Sequence, residues 1–262
     1  MIKIRNVFFI LAMLIILTPV VYGGAKIQQD FYQIKVYHLK NNEQIEQVDD
    51  YLKNVYLPEL HRLGIKNIGV FKPITNDTAT VKFIYVFIPF NSAEAWMKLQ
   101  ENLKKDAAYI SSSKSFIEAP FDKSPYERME SILLEAFSGQ GHLLLPATKN
   151  AERIFELRSY ESPTENLAEK KMAMFNTGGE IEIFKRLGFD PVFYARVVSG
   201  SRMPNFMYMP VFDNVQQRDD QWKIFGNDLQ WKEISAKPEN ENKVSVSHID
   251  SILMHSTSYS DF

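Results

Sequence analysis

Phe31-Tyr32-Gln33-Ile34-Lys35-Val36-Tyr37 is matched in the second half of the chain by Ile154-Phe155-Glu156-Leu157-Arg158-Ser159-Tyr160, with aliphatic, basic and tyrosine positions in one spacing. Further correspondences follow in the same order. Leu63-Gly64 returns as Leu187-Gly188, Phe83-Ile84-Tyr85 as Phe206-Met207-Tyr208, Asn91 as Asn214, and Ser131-Ile132-Leu133 as Ser251-Ile252-Leu253. A chain that states one unit twice folds that unit twice, and the surface where the copies meet is the natural place for a ligand.

Within each copy the hydrophobic period switches in a fixed order. Residues 32–39 alternate as a strand, and residues 44–63 place Ile45, Val48, Leu52, Val55 and Leu60 at helical spacing, with Pro58 expected to kink that helix and Gly64 to end it. Residues 68–74 and 80–90 are β-branched and aromatic runs around Asn76-Asp77, a hairpin pattern. Ser92 opens a second helix with Trp96, Leu99 and Leu103 on one face. The second copy repeats the plan: a strand over 155–160, a helix over 164–187 interrupted at Gly178-Gly179, a hairpin around 200–204, and a helix from Asn214 carrying Trp222, Phe225 and Leu229. The bland reading of the two glycines is a helix bent to follow its sheet; the functional one is close approach of a ligand or partner.

The closing element of the first copy carries conflicting signals. Ser124-Pro125-Tyr126-Glu127 is a capping box, and Met129, Ile132, Leu133, Ala136 and Phe137 would form a helical stripe. The corresponding residues 246–255 are β-branched and uncapped, so a strand is expected over 130–137. The unit is then βαββαβ, and the fold class is α+β: two tandem ferredoxin-like units, over 26–139 and 151–262, joined by a linker at 140–150.

Lys3 and Arg5 precede an apolar run over 7–21 and the small residues Gly23, Gly24 and Ala25, the pattern of a secretory signal peptide over 1–25. An uncleaved anchor is the rival, but the run falls short of the roughly 20 apolar residues that span a bilayer. The expected location is periplasmic or extracellular, with no stable membrane span after cleavage. With no cysteine in the chain, disulfides, thiolate catalysis and cysteine-bound metal are excluded. Without the leader, 28 basic residues face 32 acidic ones, and the bases are scattered, which does not suit nucleic acid. At 45% hydrophobic and 13% aromatic, the chain can bury two cores of ordinary size.

Ile154-Phe155-Glu156-Leu157-Arg158-Ser159-Tyr160, Gly179-Glu180-Ile181-Glu182-Ile183-Phe184, Met203-Pro204-Asn205-Phe206-Met207-Tyr208-Met209 and Trp231-Lys232-Glu233-Ile234-Ser235 together resemble the NIPSNAP family, best known from mitochondrial and vesicle-associated animal proteins. The match covers most of the second copy and, more weakly, the first. The resemblance implies the dimeric α/β-barrel group, in which two ferredoxin-like sheets pack face to face. That group includes cofactor-free monooxygenases, haem-degrading enzymes, chlorite dismutases and stress-responsive proteins, so it constrains shape and leaves the reaction open.

Strand alternation nominates the barrel-lining side chains. If Phe155 and Leu157 meet the helices, Glu156, Arg158 and Tyr160 face the inter-sheet cavity, as do Gln33, Lys35 and Tyr37; Glu135 and His255 are assigned to the same side because a polar pair under helices is costly. Lys35, Tyr37, Glu135, Arg158, Tyr160 and His255 are the candidate ligand-binding residues. They could orient a carboxylate or a planar aromatic ligand, with His255 and Glu135 the one acid/base pairing the repeat suggests. Alternatively, Arg158 pairs with Glu156 or Glu135 and the tyrosines fill the interface. Haem ligation would need one inward histidine; His38, His142, His248 and His255 are possible in type, but His38, following Tyr37, is expected on the opposite side and none sits in a recognisable motif. The chain lacks a His-Glu-x-x-His, a phosphate loop, a Gly-x-Ser-x-Gly and a carboxylate cluster at metal spacing, so no metal and no cofactor is expected. Expectation therefore rests on a small ligand or protein partner, with an oxygenase-like or haem-handling enzyme as the alternative; whether the halves pair within one chain or as a homodimer stays open.

Overall fold

β-branched and aromatic runs make eight strands, and each half orders its elements alike. The first half contains β1 (Phe31–Leu39), β2 (Gly69–Pro73), β3 (Lys82–Phe90) and β4 (Arg128–Ala136); the second contains β5 (Ile154–Glu161), β6 (Asp190–Ser199), β7 (Asn205–Phe212) and β8 (His248–Ser256). The computed structural model describes residues 28–147 and 150–262, so the leader and its cleavage point lie outside the described residues. The strands close one antiparallel barrel in the order β1-β3-β2-β8-β5-β7-β6-β4. Each half thus contributes a 4-1-3-2 run, and the seams are β2–β8 and β4–β6. Closure within one chain leaves no sheet edge to recruit another copy.

Between strands run the helices α1 (Asn42–Tyr51), α2 (Leu57–Arg62), α3 (Ala93–Lys105) and α4 (Ala107–Ile117), then α5 (Glu165–Asn176), α6 (Glu180–Arg186), α7 (Val215–Asn227), α8 (Leu229–Ser235) and α9 (Asn242–Ser245). Local chemistry sets their limits. Asn41, Ser92, Thr164 and Asn214 cap α1, α3, α5 and α7 through side-chain oxygens. Pro58 lacks an N–H, and a π-helical stretch over Leu52–Tyr56 precedes it instead of a break. Gly64 and Gly188 both take positive φ as C-caps. Gly179, also at positive φ, separates α5 from α6. Asp106 starts α4, a helix the periodicity did not show, and Leu229, expected on the α7 face, is exposed at the start of α8 while Trp231 packs at a tilt on Phe225, ring centroids 4.4 Å apart. No described helix is long and apolar enough to cross a membrane.

Three cores result. The barrel interior holds Tyr32, Ile34, Val36, Phe71, Phe87, Leu134, Phe155, Leu157, Phe193 and Met209. Two others lie between the outer sheet face and the helices of each half. One barrel end is plugged. Phe262 packs on Phe71, Phe87 and Phe155, held by backbone pairing of Asp261 with Ile68, while Leu143 packs on the same core from the linker.

The inward set is the reverse of the expected one. Lys35, Tyr37, Arg158 and Tyr160 stand under the helices, and so do Glu135 and His255, since Leu134 and Met254 between them and their neighbours point inward. Alternation fixes which residues share a face, but the cavity inside a barrel this narrow is filled by apolar side chains, and the helices bring polar partners for the other set. Tyr85 and Tyr208 are not equivalent either. Lys35 pairs with Val86 where Arg158 pairs with Tyr208, so the repeat is offset by one residue there, and Tyr85 faces inward while Tyr208 faces the helices.

Candidate functional site

Under the helices of the second half, Glu156 is the hub of a polar network. Its fully buried carboxylate accepts from Arg158 Nη1 (2.5 Å), Arg218 Nε (2.8 Å) and Nη2 (3.0 Å), Trp222 Nε1 (2.7 Å) and Ser251 Oγ (2.6 Å). Burial works against the charge, but the bonds from Arg218, Ser251 and Trp222 and the Arg158 charge outweigh it and hold the carboxyl at about 2. Arg158 also donates to Tyr160 Oη at 2.8 Å and lies over the Trp222 ring at 4.6 Å. The ion pair of Arg158 with Glu156, the alternative raised from the sequence, is what forms. In the first half Lys35 sits over the Tyr56 ring at 4.7 Å, and burial pushes the Tyr37 phenol up to about 12.

Glu135 and His255 are equivalent positions on different seams. Glu135 faces Arg196 across β4–β6, and His255 faces Lys72 across β2–β8, its Nδ1 paired with the Arg153 carbonyl at 2.9 Å. They are no acid/base pair. Glu180, immediately after Gly179, is 3% exposed, and its Oε2 has no hydrogen-bond partner among the described residues. Burial raises its carboxyl to about 8 and depresses the neighbouring Lys171 amine.

The open end of the barrel is different. A cavity of about 580 Å3 enters between the sheets there, walled by Val36, Phe83, Tyr85, Leu157, Met207 and Ile252. Its rim is built from equivalent strand ends of the two halves. His38, Arg128 and Glu130 form one group, with His38 Nε2 at 2.7 Å and Arg128 Nη2 at 2.9 Å from Glu130 Oε1. Glu161, Asp250 and His248 form the other, with His248 Nε2 2.9 Å from Asp250 Oδ1. The β6–β7 turn straps the two together. Ser201 Oγ donates to Glu130 Oε2 at 2.7 Å, while Arg202 bridges Glu161 and Asp250, the latter at 2.5 Å. Arg202 holds this position with φ of 69°, a left-handed conformation that a non-glycine residue adopts at some cost, beside the cis Met203–Pro204 bond.

Glu161, His248 and Asp250 bring ligand atoms within 4.8 Å of one another, a grouping that the linear sequence hides because it forms across β5–β8. The Arg202 guanidinium is the cation that Glu161 and Asp250 hold. His38 does face opposite to Tyr37, as expected, and this brings it to the cavity. Its ring meets the Phe83 edge at 4.9 Å. Of the charged and histidine residues at the mouth, the sequence singles out only His38 and His248, as histidines of a type that could hold haem; Arg128, Glu130, Glu161, Arg202 and Asp250 announce themselves only as polar residues at or just beyond the ends of strands.

Two four-stranded halves closing an eight-stranded barrel with helices outside define a protein of the dimeric α/β-barrel type, here completed by a single chain. Solved structures that share this fold include a candidate monooxygenase from Fusobacterium nucleatum (9% identity, 88% of this chain and 93% of that one, TM-score 0.57), another from Lactobacillus acidophilus NCFM (15%, 87% and 94%, 0.53), and an anthrone oxidase-like protein (9%, 88% and 93%, 0.55). At such identities the likeness is one of fold. Residues 155–261, in the second half of the chain, match the NIPSNAP family model. No curated protein matches the chain.

Proposed function

We propose that this is an exported NIPSNAP-family protein, its two tandem ferredoxin-like units at 26–139 and 151–262 forming one barrel that takes a small amphipathic ligand into its open end. The observation that carries the reading is the cavity of about 580 Å3, apolar inside and charged at its rim, at the one barrel end not closed by Leu143 and Phe262. Volume and lining are those of small-molecule sites. Export rests on the leader pattern at 1–25. Native mass spectrometry of protein recovered from an exporting host, purified without added cofactor, tests both points. The expected result is a mature N-terminus near Ala25 or Lys26 and a retained small molecule that is absent from a Met207→Trp variant. A ligand retained equally by that variant would remove the mouth from consideration.

An enzymatic form of this reading has one supporting observation. His38 and Glu130, 2.7 Å apart on the cavity wall, are paired as imidazole and carboxylate, and His38 could act as a general base of the kind a cofactor-free oxygenase of this fold type would require once Arg128 Nη2 leaves the Nδ1 it approaches at 3.3 Å. Haem does not fit as well. The Nε2 of His38 is taken by Glu130, and its Nδ1 lies 3.3 Å from Arg128 Nη2, which places a cation where iron would bind.

A further inference from the structure

We infer that the ligand of the barrel mouth is an amphipathic monocarboxylate, its apolar body in the cavity and its acid group on Arg128 and the Tyr85 hydroxyl. The inference rests on the mouth being the binding site and adds the class of ligand. It follows from counting which polar groups at the rim are already engaged. Glu130 accepts from His38, Arg128 and Ser201. Asp250 accepts from Arg202 and His248, and Glu161 from Arg202. Every carboxylate of the rim is therefore supplied with donors.

The groups left over are donors. Arg128 lines the cavity with 63% of its side chain exposed and uses only Nη2, so its Nε and Nη1 have no partner among the described residues. The Tyr85 hydroxyl, on a ring that is 8% exposed, has no hydrogen-bond partner among them either. Burial first, and the nearby Asp250 and Glu130 charges next, raise that phenol's pKa, so it remains a neutral donor. A ligand completing this rim has to bring acceptors, and a planar carboxylate matches the free edge of a guanidinium. A cationic head would have to displace Arg202 or His38 from a carboxylate first. The walls Val36, Phe83, Leu157, Met207 and Ile252 are apolar, and the Ser159 and Ser251 hydroxyls that also line the cavity are engaged by Asn205 and Glu156, so most of the ligand is hydrocarbon, aliphatic or aromatic.

The test uses three probes of equal tail: decanoate, decyltrimethylammonium and 1-decanol. Each is titrated into the mature protein carrying 13C-labelled methionine methyl groups, with the Met207 methyl reporting entry into the cavity. Decanoate is expected to bind at least about tenfold more tightly than the other two, the equivalent of about 1.4 kcal/mol for the charge-assisted contact. Arg128→Gln, at a position 63% exposed, is expected to abolish that preference while 1-decanol binds as before. Equal affinities, or a preference for the ammonium, would overturn the ligand class and leave the mouth as a site. No perturbation of Met207 by any probe would overturn the mouth as well.

Discussion

Replacing Glu156 with glutamine removes one charge and almost no volume, at a carboxylate that accepts five hydrogen bonds from four residues. The amide presents an NH2 group to donors from two arginines, an indole and a hydroxyl, so at least one pair becomes donor against donor. Two routes to the cost agree in size. A carboxyl held at about 2 in the folded state against an ordinary value of 4.5 contributes about 3 kcal/mol at neutral pH. Removing one partner from a buried ion pair generally costs about 3–5 kcal/mol. The sign of the pH dependence follows from the depressed value: the contribution is complete above about pH 5 and fades as pH falls from 4.5 toward 2. Urea denaturation of both proteins at pH 7 should therefore show Glu156→Gln less stable by about 3 kcal/mol, and at pH 3.5 the gap should be about 1 kcal/mol smaller. A gap under about 1 kcal/mol at pH 7, or one that widens on acidification, would refute the hub assigned to Glu156.

Glu180 gives the opposite sign. Because burial raises its carboxyl to about 8, the folded state binds that proton more tightly than the unfolded chain, and stability is lost as pH rises from 4.5 through 8; Glu180→Gln should match the parent at pH 5 and exceed it at pH 9 by urea midpoint. Gly69→Ala would set a Cβ 2.3 Å from Phe71 Cε2 inside the plugged end, and should lower stability by about 1–3 kcal/mol in calorimetry, with a smaller loss if Phe71 is also cut to leucine. Arg202→Ala releases the turn from Glu161 and Asp250, a partly exposed pair of contacts, so a loss of only about 1 kcal/mol is expected together with faster amide exchange confined to residues 200–204.

The repeat made the element order legible, including a strand at Arg128–Ala136 despite the capping box before it, because one conformation had to serve both copies. Facing was not legible. Every residue of β7 is buried, so no contrast in burial marks which side meets the barrel. The partners that make Glu156 tolerable beneath helices, Arg218 and Trp222, arrive from α7, far along the chain. The hairpin of the second half is one residue tighter relative to its first strand, so Tyr85 and Tyr208, though they match in the repeat, lie on opposite faces of the sheet. The mouth was hidden for a related reason: His38, Arg128, Glu130 and Asp250 at its rim, with Glu161 and His248 beside Asp250, lie on four strand ends that only barrel closure brings together.

In the strand order, β1 and β5 point the same way, so the axis relating the halves runs along the barrel and each end contains both copies of every rim position. Two identical subunits would present a ligand with the same residue twice, and an asymmetric molecule could dock in either of two equivalent orientations. Fusion of the copies lifts that degeneracy. Arg128 stands where the other half has His248, and His38 where it has Glu161. With both halves in one chain and different residues at matching positions, the opening has a front and a back.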